Sequence, residues 1–514
     1  MLNVVNALGL DADDTSKSYT SKLNKYFKVN PKSTTTDGTT TYDPEDAAAN
    51  GTNSVAIGPS AQAGEKTTDT TTVTGGTSST AIGDSAKANG DQSVALGYGS
   101  EVLNASGSTK AVSGSTAIGS GAKVEGGSDS TALGSGATVD TASNAMALGK
   151  NATINKTATS GVAIGNGAVT GSADKTITVN NLSYDVKAAG GENSVAIGTD
   201  ASSAGSTSIA LGKGATVEND SDGNYQAVVK SDDIAIGTDA KTSASDFSTA
   251  IGKGSSVTQS TDALAVGSGA KVTTSKNAMA FGKGADAESA ADSIAMGTSA
   301  KTISADTIAI GQNTSAEGAN SVVIGKGAAT TVEGGNAIGS GSAASGSSTA
   351  IGQSATANNY NALAIGNNAT ANADKSISLG YNAGVGTSEG KGEPQNAGSL
   401  IAIGTSAGNN VLGMQNVAIG ESAGSNVKSS YNVAIGSQAG YGINYASDDK
   451  SQNGFNVSVG YRANYQENSA NIMYATALGN EANASNYSVA IGNRAKAGGA
   501  HPINLSKQTR ITSL

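Results

Sequence analysis

His501 is the only histidine in 514 residues. Acid–base chemistry near neutral pH would have to run through it or through a strongly perturbed carboxylate or lysine. It stands beside Pro502, beyond the repeated part of the chain, where a solvated tail residue is expected. Gly-Lys-Gly occurs at Gly212–Gly214, Gly252–Gly254, Gly282–Gly284 and Gly325–Gly327. A phosphate loop needs Gly-Lys followed by Ser or Thr between a strand and a helix, so these read as turns with an exposed lysine. Carboxylates stand singly, as at Asp84, Asp200 and Asp239, without the regular aspartates of calcium-binding nonapeptides. There is no cysteine, so neither disulfide nor thiol chemistry is available. No catalytic, cofactor or metal residue is assigned, and an enzyme is not expected.

The elements that would have to position such groups are themselves copies of one unit. It reads Ser-Val-Ala-Ile-Gly, two variable residues, then Ala-x-Ala. Asn53-Ser54-Val55-Ala56-Ile57-Gly58 opens the series, with Ala61 and Ala63 following. Asn193-Ser194-Val195-Ala196-Ile197-Gly198 repeats it, as does Tyr487-Ser488-Val489-Ala490-Ile491-Gly492. The motif glycine recurs 26 times from Gly58 to Gly492, most often every 13 to 16 residues. Gly237 to Gly380 is the cleanest run and includes Ile251-Gly252 and Ile310-Gly311. Composition agrees: 70 glycines, 4% aromatic residues and no tryptophan suit a thin core of Ala, Val and Ile. The net charge of −10 disfavours nucleic acid, which needs a concentrated basic face. No stretch approaches the apolar length of a membrane helix, and Met1–Leu10 lacks the pattern of a signal peptide.

In one unit, Val55 and Ile57 share a strand face, and Ser54 and Ala56 share the other. Both faces are apolar or small, which predicts burial on both sides. The glycine closes the strand where the chain turns. Ala-x-Ala alternates too, but its middle residue is polar (Gln62, Lys87, Lys496), which predicts a second strand with one wet face. Units of about 14 residues cannot bury themselves, whereas stacked copies can. The fold class expected is all-β: a flattened β-solenoid of two parallel sheets. One face of the Val-Ala-Ile strand lines the coil's own core; the other needs a partner, which self-association supplies. The pattern thus predicts a cyclic homo-oligomer without giving the number of chains. Left-handed β-helix acyltransferases are set aside, because their repeat is a hexapeptide with three faces per coil and no histidine lies within these repeats.

The motif N-S-V-A-I-G-x-x-[SA]-x-A, recurring from about Asn53 to Ala497, resembles the heads of trimeric autotransporter adhesins, the YadA-like surface proteins of Gram-negative bacteria. The resemblance implies a left-handed parallel β-roll, a homotrimeric rod and adhesion to a host-cell or extracellular-matrix protein or glycan. It also implies a cell-surface location, with the outer-membrane anchor supplied outside this chain. On this reading residues 1–50 form an irregular N-terminal cap and 51–498 the head repeats. Residues 499–514 form a tail at the place of a neck connector. No heptad stalk and no anchor of alternating strands is read here. A phage tail-fibre-type receptor-binding shaft is the alternative. Ice binding would need Thr-x-Thr in register on successive coils, which the sequence lacks.

Insertions interrupt the repeat near Gly64–Ser79, Ser100–Gly114, Gly171–Gly191, Glu218–Ser231, Val385–Ser399, Tyr441–Gly454 and Ala463–Ala475. Most are Ser/Thr/Gly/Asp-rich loops. Thr176 to Val186 instead alternates apolar residues about Asn180-Asn181, which predicts a β-hairpin. Val179, Asn180, Leu182 and Tyr184 are its candidate receptor contacts; the alternative is a decoration packed on the rod. Eight of 15 tyrosines fall at or after Tyr381, either as contact residues or as filler for larger coils. Ser21–Val29 is the one short amphipathic element of the N-terminal segment and is expected to cap the first coil.

Overall fold

The computed structural model describes residues 47–65, 76–105, 112–172, 190–218, 231–384, 400–413, 415–444, 454–467, 470–498 and 502–505. It adds the backbone of 27–29, 175–179, 182–186, 220–221 and 227–228. Asn180, Asn181, Ser21–Tyr26 and His501, singled out above, lie outside the described residues. Among the described residues there are strands and turns and no helix. The chain divides into two compact units, Met1–Ala270 and Lys271–Leu514.

The first unit is a parallel β-solenoid. Its first sheet stacks the Val-Ala-Ile strands in sequence order, with Ala56 beside Ala81 and Ala81 beside Ala95. The stacking runs on to Thr249–Ile251 and Leu264–Val266. Its second sheet stacks the Ala-x-Ala strands, beginning Ala48–Ala49, Gln62–Ala63, Lys87–Ala88 and Glu101–Leu103. The last of these continues the sheet where an insertion was expected. Phe27–Val29 lies antiparallel against Val55–Ile57, so backbone groups at the edge of the first coil are paired.

Burial alternates as the side-chain period of two requires. The central alanines Ala56, Ala81 and Ala95 are fully buried, while Val55, Ile57 and their equivalents are not. The expectation of burial on both faces is therefore corrected for the single chain. One coil encloses one core, and among the described residues nothing covers the outward face. That core is thin because small meets large: first-strand alanines share it with second-strand Val102, Val124, Val139 and Ile154.

The glycine ending each first strand is required twice over. Gly58 has φ 121°, and a Cβ placed there would lie 2.6 Å from the carbonyl oxygen of Gly83. The same close approach recurs from coil to coil within each unit, as between Gly297 and Gly311 in the second. Two residues further on the chain is left-handed again, at Ser60 with φ 55°, and the Ala61 N–H donates to the Gly58 carbonyl at 3.2 Å. A four-residue turn with φ > 0 at its third position favours Gly or Asn, and across the repeats Gly, Ser, Asn or Asp fills it most often.

The second unit repeats this scheme from Lys271–Thr273 in one sheet and Met279–Phe281 in the other. Its first sheet runs without a break to Val489–Ile491 and Ile503–Leu505. The two-strand repeat does not hold throughout. After Thr370–Ala371 the second strand gives way to turns, and it returns at Asn483–Ala484. Here Ala-Gly replaces Ala-x-Ala, and Gly384, Gly408, Gly424 and Gly440 all adopt φ between 55° and 70°. A left-handed residue at that point turns the chain instead of extending it. The backbone bond at the start of the lost strand survives, from Gly408 N–H to the Ala423 carbonyl and from Gly424 N–H to the Ala439 carbonyl, and the turns add others, such as Asn426 N–H to the Asn409 carbonyl and Leu412 N–H to the Val427 carbonyl. The core of these coils is filled by the larger Leu400, Val411, Val427, Ile443 and Ile472.

The same coils exchange the buried serine that precedes the strand for asparagine. Elsewhere Ser54 Oγ donates to the Gly51 carbonyl at 2.6 Å. Here Asn432 Nδ2 donates to Asn416 Oδ1 at 2.9 Å, and Asn456 Nδ2 donates to Asn432 Oδ1 at 2.8 Å. Asn432 and Asn456 thus each donate to the amide of the coil before, Asn416 donates to the Ser429 carbonyl, and these polar groups are satisfied internally.

Candidate functional site

Three places stand out from the plain repeat. The first is the outward face of the first sheet. Val55, Ile57, Val195, Ile197, Ile310 and Val489 stand on it partly exposed, and Ile251 and Ile491 stand on it exposed. Each column is in register: Ile236, Ile251 and Val266 line up in the first unit, and Met296, Ile310 and Ile324 in the second. Ile251 keeps 37% of its surface exposed and Phe281 51%. Contiguous apolar surface of this kind is unusual on a solvated wall. Gly58, Gly198, Gly252, Gly311 and Gly492 close the strands with φ between 118° and 137°. They shape the face and contribute no side chain to it.

The second surface is the segment read as a hairpin. Lys175–Val179 and Leu182–Val186 pair antiparallel, with Val179 opposite Leu182 and Ile177 opposite Tyr184. They form a two-stranded sheet of their own, so this pair branches off the solenoid instead of extending it.

The third surface was only half legible in the sequence. Tyr431, Phe455, Tyr474 and Tyr487 occupy one position on four coils, two residues before the first strand, as the pairing of Val433, Val457, Thr476 and Val489 shows. Their rings stack with centroids 4.9, 5.3 and 5.1 Å apart. At a second position, five residues after the motif glycine, Tyr441 stacks on Tyr465 at 5.2 Å, and the Arg462 guanidinium lies 4.3 Å from the Tyr465 ring. The enrichment in tyrosine was visible in the sequence; the ladder was not. Counting positions back from each motif strand would have revealed it.

Several of the remaining polar groups form local pairs. Lys87 meets Glu101 at 2.8 Å on the next coil, and Lys123 meets Glu125 at 2.6 Å. The bond to Glu125 holds the Lys123 ammonium above its ordinary range. Asp286 stands between Lys271 and Lys301 on the second sheet. Burial nevertheless raises its carboxyl above the ordinary value, and the neighbouring lysines only partly oppose this. Lys213, Lys253, Lys283 and Lys326 of the Gly-Lys-Gly turns are exposed. Among the described residues no three His, Cys, Asp or Glu side chains come together as a metal site would require.

The family described as YadA head domain repeat matches residues 47–65, 75–100, 113–137, 126–152, 189–215, 230–255, 274–300, 304–328, 346–369, 357–383 and 473–495. The matches occur in both units and stop across 384–472, where the second strand is replaced by turns. No curated protein matches the chain.

Proposed function

Since this chain is a YadA-like head, of the trimeric autotransporter adhesin type, we propose that it attaches a bacterial surface to host cells or extracellular matrix as a homotrimer. The observation that carries the reading is the outward apolar face, repeated in register along each unit. Three chains meeting on that face would remove it from water and present every remaining surface three times. Weak contacts then gain avidity from valency rather than from a deep pocket. The family is structural, and no constellation among the described residues suits catalysis. The hairpin of Lys175–Val186 is the proposed receptor contact, because it branches from the solenoid and would occur once per chain. The surface location and the anchor follow from the family and are part of the same proposal.

The test is a binding assay of the head on immobilised matrix proteins and on cultured epithelial cells, against a variant with residues 171–191 replaced by a Gly-Ser turn. Sedimentation of both proteins should give three chains per particle. Reduced binding with an unchanged trimer supports the hairpin contact. Unchanged binding rejects the hairpin, and a monomeric intact head rejects the trimer.

A further inference from the structure

Tyr474 and Tyr487 carry phenols on adjacent coils in one register, since Thr476 pairs with Val489. Their ring centroids are 5.1 Å apart and their planes 14° from parallel. Parallel pairing fixes that separation, because neighbouring strands lie about 4.8 Å apart. Both rings are reachable from solvent, at 48% and 45% exposure. Both residues hold left-handed backbone, φ 54° and 57°, a conformation bulky side chains avoid. The same position carries Asn53, Asp129 and Ser160 on other coils. Four consecutive rings at strained positions call for a reason, and mutual stacking is the visible one.

We propose that Tyr474 and Tyr487 form an oxidative coupling site, at which a peroxide-driven one-electron oxidant joins the two phenols as a dityrosine between adjacent coils. Each phenol gives up one electron and one proton to become a phenoxyl radical. The two radicals form a carbon–carbon bond between ring positions ortho to the oxygens, and the ortho hydrogens shift to oxygen to restore both phenols. The two electrons and two protons released reduce one hydrogen peroxide to two waters. The chain has no cysteine, so this is a covalent staple that it can make by oxidation where disulfides are unavailable.

The surroundings give the site selectivity. Tyr431 has Phe455 as its stacking partner, which lacks the hydroxyl that the coupling needs. The Tyr441–Tyr465 pair has the same spacing, but the Arg462 cation over Tyr465 opposes loss of an electron from that ring, so it reacts more slowly. Tyr98, Tyr360 and Tyr381 are more exposed than either coupled residue, yet no stacked ring partner accompanies them among the described residues.

The experiment treats the full chain with a plant peroxidase and hydrogen peroxide, denatures it, and cleaves it at glutamate. Glu481 lies between the two tyrosines, so coupling within one chain leaves their segments joined, with two hydrogens lost, in a product of single-chain mass. Tyr487→Phe keeps the stack and should reduce that product at least tenfold. Phe455→Tyr should add a second coupled product involving residue 455. The proposal is overturned if the joined segments persist at full yield in Tyr487→Phe. It is equally overturned if coupling occurs chiefly between separate chains, or if Tyr98, Tyr360 or Tyr381 couples first.

Discussion

Ser458 and Ser378 sit at the same place in their coils, the inward middle residue of the first strand, where the repeat otherwise places alanine. Both are fully buried. They differ in one respect: Ser378 Oγ donates to the Thr370 carbonyl at 2.7 Å, whereas Ser458 Oγ has no hydrogen-bond partner among the described residues. Ser458 borders a cavity of about 10 Å³ lined by Val417, Ala418, Val427, Val433, Ala434 and Ile443 together with Asn416 and Asn432; both amides are committed to bonds of their own, so the surroundings hydrate a hydroxyl poorly. Replacing each serine by alanine should therefore have opposite effects. Ser458→Ala removes a buried hydroxyl whose desolvation costs about 1–3 kcal/mol. The space vacated by one oxygen returns only a few tenths of a kcal/mol, at about 24 cal/mol per Å³. A net gain of about 1–2 kcal/mol is expected. Ser378→Ala removes a satisfied bond and should lose about 0.5–1.5 kcal/mol. Urea unfolding at matched protein concentration reads both, because stability of an associating protein depends on concentration. The midpoint should rise for Ser458→Ala and fall for Ser378→Ala at unchanged slope. Loss of stability in Ser458→Ala would mean that its hydroxyl is satisfied in the native protein, and it would refute the reasoning.

Three further outcomes follow from the same geometry. Gly297→Ala forces a Cβ to within 2.3 Å of the Gly311 carbonyl oxygen at φ 137°, and should cost more than about 2 kcal/mol in thermal or urea unfolding. Gly284→Ala, with φ 62° and its nearest neighbour 3.7 Å away, should cost only about 1 kcal/mol. Asp286→Thr should stabilise the second unit near neutral pH, since burial raises the native carboxyl above the ordinary value of 3.8 and its charged form is disfavoured by folding. That gain should shrink as pH falls through the raised native value and vanish below 3.8, as urea midpoints across acid pH would show. Ile251→Asp or Ile310→Asp places a charge on the outward face, so circular dichroism should keep its β signature while sedimentation shows single chains; persistent trimers would contradict the interface reading.

The regular coils were legible because their rules are local. Val-Ala-Ile-Gly states its alternation and its turn within four residues, and register follows when neighbouring coils state the same thing. The outward apolar face was legible for the same reason: Val55 and Ile57 are too apolar for solvent and too far round the strand for the core. What escaped reading depends on comparing coils rather than inspecting one. Ala407-Gly408-Asn409 differs from Ala61-Gln62-Ala63 at two positions, yet a left-handed Gly408 removes the second strand and obliges Val411 and Val427 to fill the space. Asn416, Asn432 and Asn456 look like conservative changes from serine until they are stacked, when Asn432 donates to Asn416 and Asn456 to Asn432. Tyr431, Phe455, Tyr474 and Tyr487 are separated by 13 to 24 residues and become a ladder only through the pairing of the strands that follow them. In a solenoid, then, one unit specifies the scaffold, whereas features that could distinguish this head from another are written down the columns. Those columns are where single substitutions should change behaviour without unfolding the coil.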